Sequence, residues 1–179
     1  SIMAFILKFN DANIEICKNA ILNGDLVSFP TETVFGLGAN IFNEKALEKI
    51  FEAKGRPKSD PLIVHVVTLD VLDQITEMNS ITKKYFRILS EKFWPGPLTL
   101  VVTASPTVSK LVTAGGASIG LRMPANSVAQ KLLKATGVPI AAPSANRFGH
   151  ISPTTAQHVY DDLSDYPGLL ILDSCEPCS

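Results

Sequence analysis

The sequence predicts an α/β domain built on a mixed sheet. Apolar runs of strand length alternate with amphipathic helical stretches, without internal repeats or low-complexity tracts. Of the 179 residues, 46% are hydrophobic and 18% are charged, which favours a folded chain with a sizeable core over a disordered one. This length is typical of one domain, so we expect residues 1–179 to form a single unit.

The N-terminal half alternates in short steps. Asp11 begins a helix whose apolar residues share one face and which Gly24 ends. Asn43 is a typical N-cap for a second helix, which closes at Lys54-Gly55-Arg56-Pro57. Strands are predicted at the apolar runs 4–9, 26–29 and 62–67. The second of these runs into the turn Pro30-Thr31-Glu32-Thr33.

The C-terminal half continues the alternation. Two helical stretches near 71–77 and 81–92 precede Pro95-Gly96-Pro97, which breaks the chain. A further helix is predicted at 127–135 and another after Ser152-Pro153. Strand patterns occupy 98–103, 118–122, 139–142 and 169–172.

Charge and composition exclude several classes of protein. The formal net charge of −1 provides no bulk attraction to nucleic acid or to an anionic membrane, so any anion site must be local. The apolar stretches are strand-sized and no secretory leader is visible, so a cytoplasmic protein is expected. Three cysteines are too few for a disulfide framework. The Cys175-x-x-Cys178 spacing lacks partner ligands, which favours a coincidental pair over a metal or redox site.

Polar residues follow or precede the predicted strands and indicate one anion-binding cleft. Lys54 and Arg56 stand two residues apart, and in an extended segment their side chains would point the same way. No Walker loop or Gly-x-Gly-x-x-Gly is present, so side chains would have to hold a nucleotide. Gly36 and Gly38 would let the backbone approach a ligand closely. Taken singly, each feature also fits a solvated turn, a packed core histidine at 65 or a surface ion pair at Arg122.

Six segments in order, taken together, resemble the threonylcarbamoyl-AMP synthase family, the YrdC-like domain. They are Phe29-Pro30-Thr31-Glu32-Thr33-Val34-Phe35-Gly36-Leu37, Lys54-Gly55-Arg56-Pro57, Pro61-Leu62-Ile63-Val64-His65, Trp94-Pro95-Gly96-Pro97-Leu98-Thr99, Arg122-Met123-Pro124 and Ala142-Pro143-Ser144-Ala145-Asn146. The resemblance implies a twisted sheet with a concave, positively lined pocket. It also implies an enzyme, a nucleotidyltransferase that joins L-threonine, bicarbonate and ATP into threonylcarbamoyl-AMP with release of pyrophosphate. Other proteins would then use this adenylate to modify tRNA.

The resemblance also implies a role for individual residues. Lys54 and Arg56 would act in catalysis by neutralising the triphosphate. The nucleotide-binding set would be Lys54, Arg56, Asp60, Ser118, Ser144, Asn146 and Ser152. The threonine-binding set would be Thr31, His65, Arg122 and Ala142, with Arg122 on the carboxylate. Mg²⁺ would accompany ATP through water and phosphate oxygens, with no dedicated metal site. Glu32 could assist that ion, but the sequence does not fix its role.

Two alternatives and one departure stay open. A non-catalytic RNA-binding module of the same fold would need only a basic concave surface, and weak tRNA or double-stranded RNA binding is compatible with the resemblance. A carbamoyl-transfer domain of hydrogenase maturation normally accompanies acylphosphatase and zinc-finger regions, which this sequence lacks. Family members usually continue through Gly-x-x-Ser-Thr and Arg-Pro-Gly segments. We therefore expect either a piece of a longer polypeptide or a protein lacking the C-terminal end of the family domain.

Overall fold

A mixed sheet forms the centre of the protein, in a computed structural model that describes residues 3–174 and 178. Within these residues the sheet has eight strands in the order β1-β8-β2-β3-β7-β4-β6-β5. Pairs β1/β8, β2/β8 and β4/β6 are parallel, whereas the other neighbours are antiparallel. The strands are β1 Phe5–Lys8, β2 Val27–Pro30, β3 Phe35–Asn40, β4 Ile63–His65, β5 Leu100–Thr103, β6 Ser118–Arg122, β7 Ile140–Ala141 and β8 Leu170–Asp173. The predicted α/β class with a mixed sheet is confirmed.

Seven helices connect the strands in the described part of the chain. They are α1 Asp11–Leu22, α2 Glu44–Lys54, α3 Leu72–Ile75, α4 Ser80–Phe93, α5 Lys110–Thr113, α6 Ser127–Thr136 and α7 Ala156–Leu163. Asn43 caps α2 as predicted, because its side chain accepts a hydrogen bond from the Ala46 amide at 3.0 Å. Gly55 ends the same helix in the left-handed conformation at φ 66°, which directs the chain towards the strand that carries His65. None of the helices within the described residues is long and apolar enough to cross a membrane.

Two apolar cores lie on opposite faces of the sheet. Helices α1 and α6 cover one face, where Cys17, Leu132 and Phe29 are buried together. Helices α2 and α7 contribute to the other core, which contains Leu47 and Val159. Alternate residues of one strand reach different cores, since strand side chains point to opposite faces in turn. The helices therefore cover both faces of the sheet around β2 and β8, whereas one face of β5 and β6 stays exposed at Val101 and Ser118.

Strand β3 was not predicted from the sequence. Its two glycines remove the apolar alternation that signals a strand. The expectation that Gly38 would admit a ligand is wrong, because a Cβ there would lie 2.8 Å from side-chain atoms of both Ile140 and Phe29. Gly38 instead allows close packing of side chains against the sheet. The short helix α5 was also not predicted.

Candidate active site

A cavity of about 210 Å³, lined by both polar and apolar residues, opens beside β4 and the end of β6. It is the place where the predicted residues from distant segments meet. Its lining consists of Thr31, Val34, Gly36, Arg56, Pro61, Ile63, His65, Arg122, Ala142, Pro143 and Ser144. Six of the eleven predicted site residues are among these: Thr31, Arg56, His65, Arg122, Ala142 and Ser144.

Strand pairing places His65 and Arg122 side by side. The parallel strands β4 and β6 pair His65 with Arg122, and the antiparallel pair β4/β7 sets His65 opposite Ile140. Residues in register on neighbouring strands project to the same face of a sheet, so the imidazole and the guanidinium enter the cavity together. This juxtaposition of residues that are distant in sequence results from the strand order.

The Arg122 guanidinium is held by a neighbouring hydroxyl. Its Nε and Nη2 both donate to Thr99 Oγ1, at 3.2 and 2.8 Å. Thr99 directly precedes β5, the partner strand of β6. Because guanidinium carries five N–H donors, three remain for a ligand. Thr99 ends one of the six segments that carry the family resemblance, but only the structure assigns it this contact.

His65 is both a buried residue and a cavity residue. Its side chain is 2% exposed and meets the Phe29 ring edge to face, with centroids 6.1 Å apart. Burial and then the Arg122 charge lower the pKa of His65 to about 4. The backbone groups of Ile140 and Ile63 oppose this shift. The Nδ1 atom of His65 has no hydrogen-bond partner in the described part of the chain. The imidazole is therefore neutral near pH 7, with one nitrogen as donor and one as acceptor.

The turn after β2 is held by several hydrogen bonds. Thr31 Oγ1 donates to Val34 O at 2.6 Å and accepts from the Thr33 and Val34 amides, each at 3.3 Å. Glu32 Oε2 accepts from the Ala125 amide at 2.6 Å, which joins this turn to the loop after β6. The Thr31 hydroxyl thus lines the cavity in a fixed orientation.

Lys54 and Arg56 are not in an extended segment, so the expectation that they point the same way along a strand is wrong. Lys54 is the last residue of α2, and the left-handed Gly55 separates it from Arg56. Arg56 lines the cavity, where its Nη2 donates to Pro61 O at 2.9 Å. Its Nε is buried and has no hydrogen-bond partner among the described residues. A buried, unpaired donor of this kind fits an anionic ligand.

The Lys54 side chain turns to the loop after β7. It is 3% exposed, and its Nζ donates to Ser144 O and, at 2.7 Å, to Asn146 O. The pKa of Lys54 is lowered to about 8, mainly by burial and then by the nearby Arg56 charge. The Asp162 charge opposes this shift. Lys54 itself does not line the cavity.

Four other predicted nucleotide residues lie outside the cavity lining. Asn146 is 5% exposed, and its Nδ2 donates to Arg147 O and His150 O at 2.7 and 3.0 Å. Asp60 is half-buried, directly before the cavity residue Pro61. Ser152 is exposed ahead of α7. Ser118 is exposed at the start of β6, at the opposite end of that strand from Arg122.

The terminal cysteines do not form a described pair. Cys175 lies outside the described residues. Cys178 is half-buried, and its amide donates to Thr154 O at 2.9 Å. Burial and the nearby Glu32 charge raise the pKa of the Cys178 thiol, while a hydrogen bond with the Thr31 backbone opposes them. Within residues 3–174 and 178, no group of three metal-binding side chains comes together.

Comparison with known proteins identifies the family. The Sua5/YciO/YrdC family model, described as "Telomere recombination", matches residues 19–178. The chain belongs to this family. Curated relatives in the Sua5/YciO/YrdC family are named threonylcarbamoyl-AMP synthase. Those of Pyrococcus abyssi and Bacillus subtilis are each 44% identical, over 87% and 88% of this chain and 45% of their own length. The chain thus spans about half the length of these relatives.

Solved structures of the Sua5/YciO/YrdC family share the fold. The crystal structure of P. abyssi Sua5 complexed with L-threonine superposes with a TM-score of 0.86 and 42% identity. That match covers 96% of this chain and 49% of the Sua5 chain. The E. coli YciO crystal structure gives a TM-score of 0.78 at 22% identity over 96% of this chain and 84% of its own, and supports the fold alone.

Proposed function

We propose that this protein is an L-threonylcarbamoyl-AMP synthase that makes threonylcarbamoyl-AMP and pyrophosphate from L-threonine, bicarbonate and ATP. The observation that carries the proposal is the union of His65, Arg122, Arg56 and Ser144 in one cavity. The names of the relatives and the threonine complex of P. abyssi Sua5 support this substrate set over an RNA-binding module or a hydrogenase-maturation domain.

The threonine subsite lies between β4, β6 and the loop after β7. Arg122 binds the threonine carboxylate with the donors that Thr99 leaves available, because a planar guanidinium matches a carboxylate through two parallel bonds. His65 and Thr31 face the remainder of the amino acid, and His65 selects its hydroxyl, because the Thr31 hydroxyl already donates to Val34 O. A neutral His65 suits this role, since it can bond a hydroxyl without competing for the carboxylate charge. Ala142, 7% exposed, forms an apolar wall against the threonine methyl group.

The nucleotide subsite begins at Arg56 and Ser144. Arg56 neutralises phosphate charge through its unpaired Nε, and Ser144 donates to a phosphate oxygen. Asp60, Ser118, Asn146 and Ser152 complete the site around the rest of ATP. Mg²⁺ travels with ATP and is held by phosphate oxygens and water, which is usual for this ion and requires no protein cage. Glu32 Oε2 accepts from the Ala125 amide, so this carboxylate joins the turn after β2 to the loop after β6.

The reaction needs positioning and charge neutralisation more than a protein nucleophile. The threonine amine attacks the bicarbonate carbon, and loss of water leaves a carbamate. A carbamate oxygen then bonds to the α-phosphorus while the bond from that phosphorus to the bridging oxygen breaks, and pyrophosphate leaves. The cavity brings the two subsites together, so the free energy of substrate binding offsets the entropy that is lost when the reacting groups are held side by side. We further propose that the adenylate is consumed in the cytoplasm by proteins that modify tRNA.

A pyrophosphate-release assay tests this function. The expected result is release from ATP and Mg²⁺ only when both threonine and bicarbonate are present, with threonylcarbamoyl-AMP detected by mass spectrometry. Arg56→Ala should abolish most of this release, whereas Lys58→Ala, which removes an exposed cation two residues away, should not. Release that is independent of threonine, or a folded chain that binds neither threonine nor ATP, would overturn the proposal.

A further inference from the structure

Lys54 holds the loop at residues 144–148 through three contacts. Its Nζ donates to the carbonyls of Ser144 and Asn146, and its own carbonyl accepts from the Phe148 amide at 2.7 Å. These partners are 90 or more residues away in sequence. One residue at the end of α2 therefore joins that helix to the loop that carries Ser144.

The alternative, a direct contact of Lys54 with phosphate, would require its side chain to move, because the residue is 3% exposed and does not line the cavity. An ammonium has three donors, and two of them are used. Both acceptors belong to a loop in which Asn146 is 5% exposed. Withdrawing the ammonium would cost the Asn146 carbonyl its partner, whereas the Ser144 carbonyl would keep the Asn146 amide at 3.0 Å. Arg56, by contrast, already lines the cavity and has an unpaired donor. The phosphate-binding cation on this segment is thus Arg56.

The loop is fixed on its other side by β3. The Ala145 amide donates to Phe35 O at 2.8 Å, and Ser144 pairs with Gly36 as an isolated antiparallel bridge. Backbone contacts from β3 and the ammonium of Lys54 therefore hold the loop between them. Asn146 continues the network, because its Nδ2 donates to the carbonyls of Arg147 and His150.

We propose that Lys54 is a positioning residue that acts on the nucleotide through the 144–148 loop, by fixing Ser144 at the cavity wall, and does not itself contact the phosphates. This inference rests on the proposed nucleotide role of Ser144. Burial, with the Arg56 charge adding to it, lowers the pKa of Lys54 to about 8. Near pH 7 Lys54 remains mostly protonated, so both bonds are charge-assisted.

Two measurements test the proposal. In the ligand-free protein, Lys54→Met should speed hydrogen exchange at the amides of residues 144–148 by about tenfold or more, because the loop loses two bonds. A residue that only contacts phosphate would leave this exchange unchanged. The second measurement is a double-mutant cycle for ATP affinity with Ser144→Ala. Each single change should weaken ATP binding by about tenfold, and the double variant should lose little more than the larger single loss.

Additive losses in the cycle, or unchanged loop exchange in Lys54→Met, would overturn the proposal. Threonine affinity separates positioning from a general loss of structure. It should stay within about threefold of the parent, since the Ala142 amide is held independently by Ile63 O at 3.0 Å. Lys58→Met serves as the exposed control, and Lys54→Gln serves as a second variant if Lys54→Met does not fold. A parent chain that binds no ATP would contradict the proposed function, while the ligand-free exchange would still test the contact.

Discussion

At the scale of residues, the protein itself uses some of the hydrogen-bond donors of the two arginines in the site. Arg122 and Arg56 both lie in the cavity, yet each already has a protein acceptor, Thr99 Oγ1 in one case and Pro61 O in the other. These contacts orient the guanidinium groups before a ligand arrives, which reduces the entropy cost of binding. The identity of such residues was predictable from the six segments. The protein groups that accept hydrogen bonds from them were not predictable, because the acceptor of a side chain cannot be deduced from its position in the sequence.

The first prediction concerns Arg122. Arg122→Lys conserves the charge but replaces the planar fork by a point charge, so threonine affinity should fall at least tenfold, a loss of about 1.4 kcal/mol or more. ATP affinity should be largely kept. Calorimetric titration with each ligand measures both. Threonine binding equal to that of the parent would reduce Arg122 to a residue of the cavity rim.

The second prediction concerns Thr99, which touches no proposed substrate. Thr99→Val keeps the shape of the side chain and removes the acceptor of two Arg122 bonds, so threonine affinity should fall by about threefold to tenfold. Thr99→Ser retains the hydroxyl and should restore affinity close to that of the parent. If Thr99→Val binds threonine normally in the same titration, Arg122 does not need this contact for its orientation.

At the scale of elements, strand β3 joins β2 on one side to β7 on the other. Gly38 lies between β2 and β7, where the buried side chains of Phe29 and Ile140 fill the space that a Cβ would take. Helix boundaries were predictable because capping residues such as Asn43 act locally. Strand β3 was not, because its conformation depends on pairing with partners on both sides.

The third prediction concerns this strand. Gly38→Ala places a methyl group 2.8 Å from Ile140 Cγ2 and Phe29 Cε1, so it should destabilise the protein by about 1–3 kcal/mol. Gly120→Ala, in β6, is the matched control. Its methyl group would meet the Ile63 Cδ1 terminus at 3.0 Å, which can shift more easily, so its cost should be smaller. Urea unfolding of the two variants gives the comparison, and equal costs would argue against packing at β3 as the cause.

At the scale of the whole molecule, the sheet order concentrates positive charge beside a buried neutral histidine. The pKa of His65 falls from 6.5 in the unfolded reference to about 4 in the folded protein. Above the unfolded pKa both states are neutral at this site and its full contribution to stability is present. Between the two values only the unfolded state binds the proton, so stability is lost as pH falls towards about 4.

The fourth prediction is this pH dependence. His65 should contribute about 1.4 kcal/mol of lost stability for each pH unit below its unfolded pKa, until the folded pKa is reached. The measurement is urea unfolding of the parent and of His65→Gln across this range. The carboxyl groups are shared by both proteins, so the parent should show the steeper decline. Parallel curves would mean that His65 titrates normally in the folded protein.

The sequence by itself determined the α/β class, most helix and strand positions, and the segments that carry the site. These depend on apolar periodicity, capping and turn residues, which act over a few positions along the chain. The tertiary structure alone decided that His65 pairs with Arg122, that Thr99 orients the guanidinium, and that Lys54 binds loop carbonyls while Arg56 lines the cavity. Strand order and the burial of charged groups set these contacts. Both arise from pairing between segments far apart in sequence, which no local pattern records.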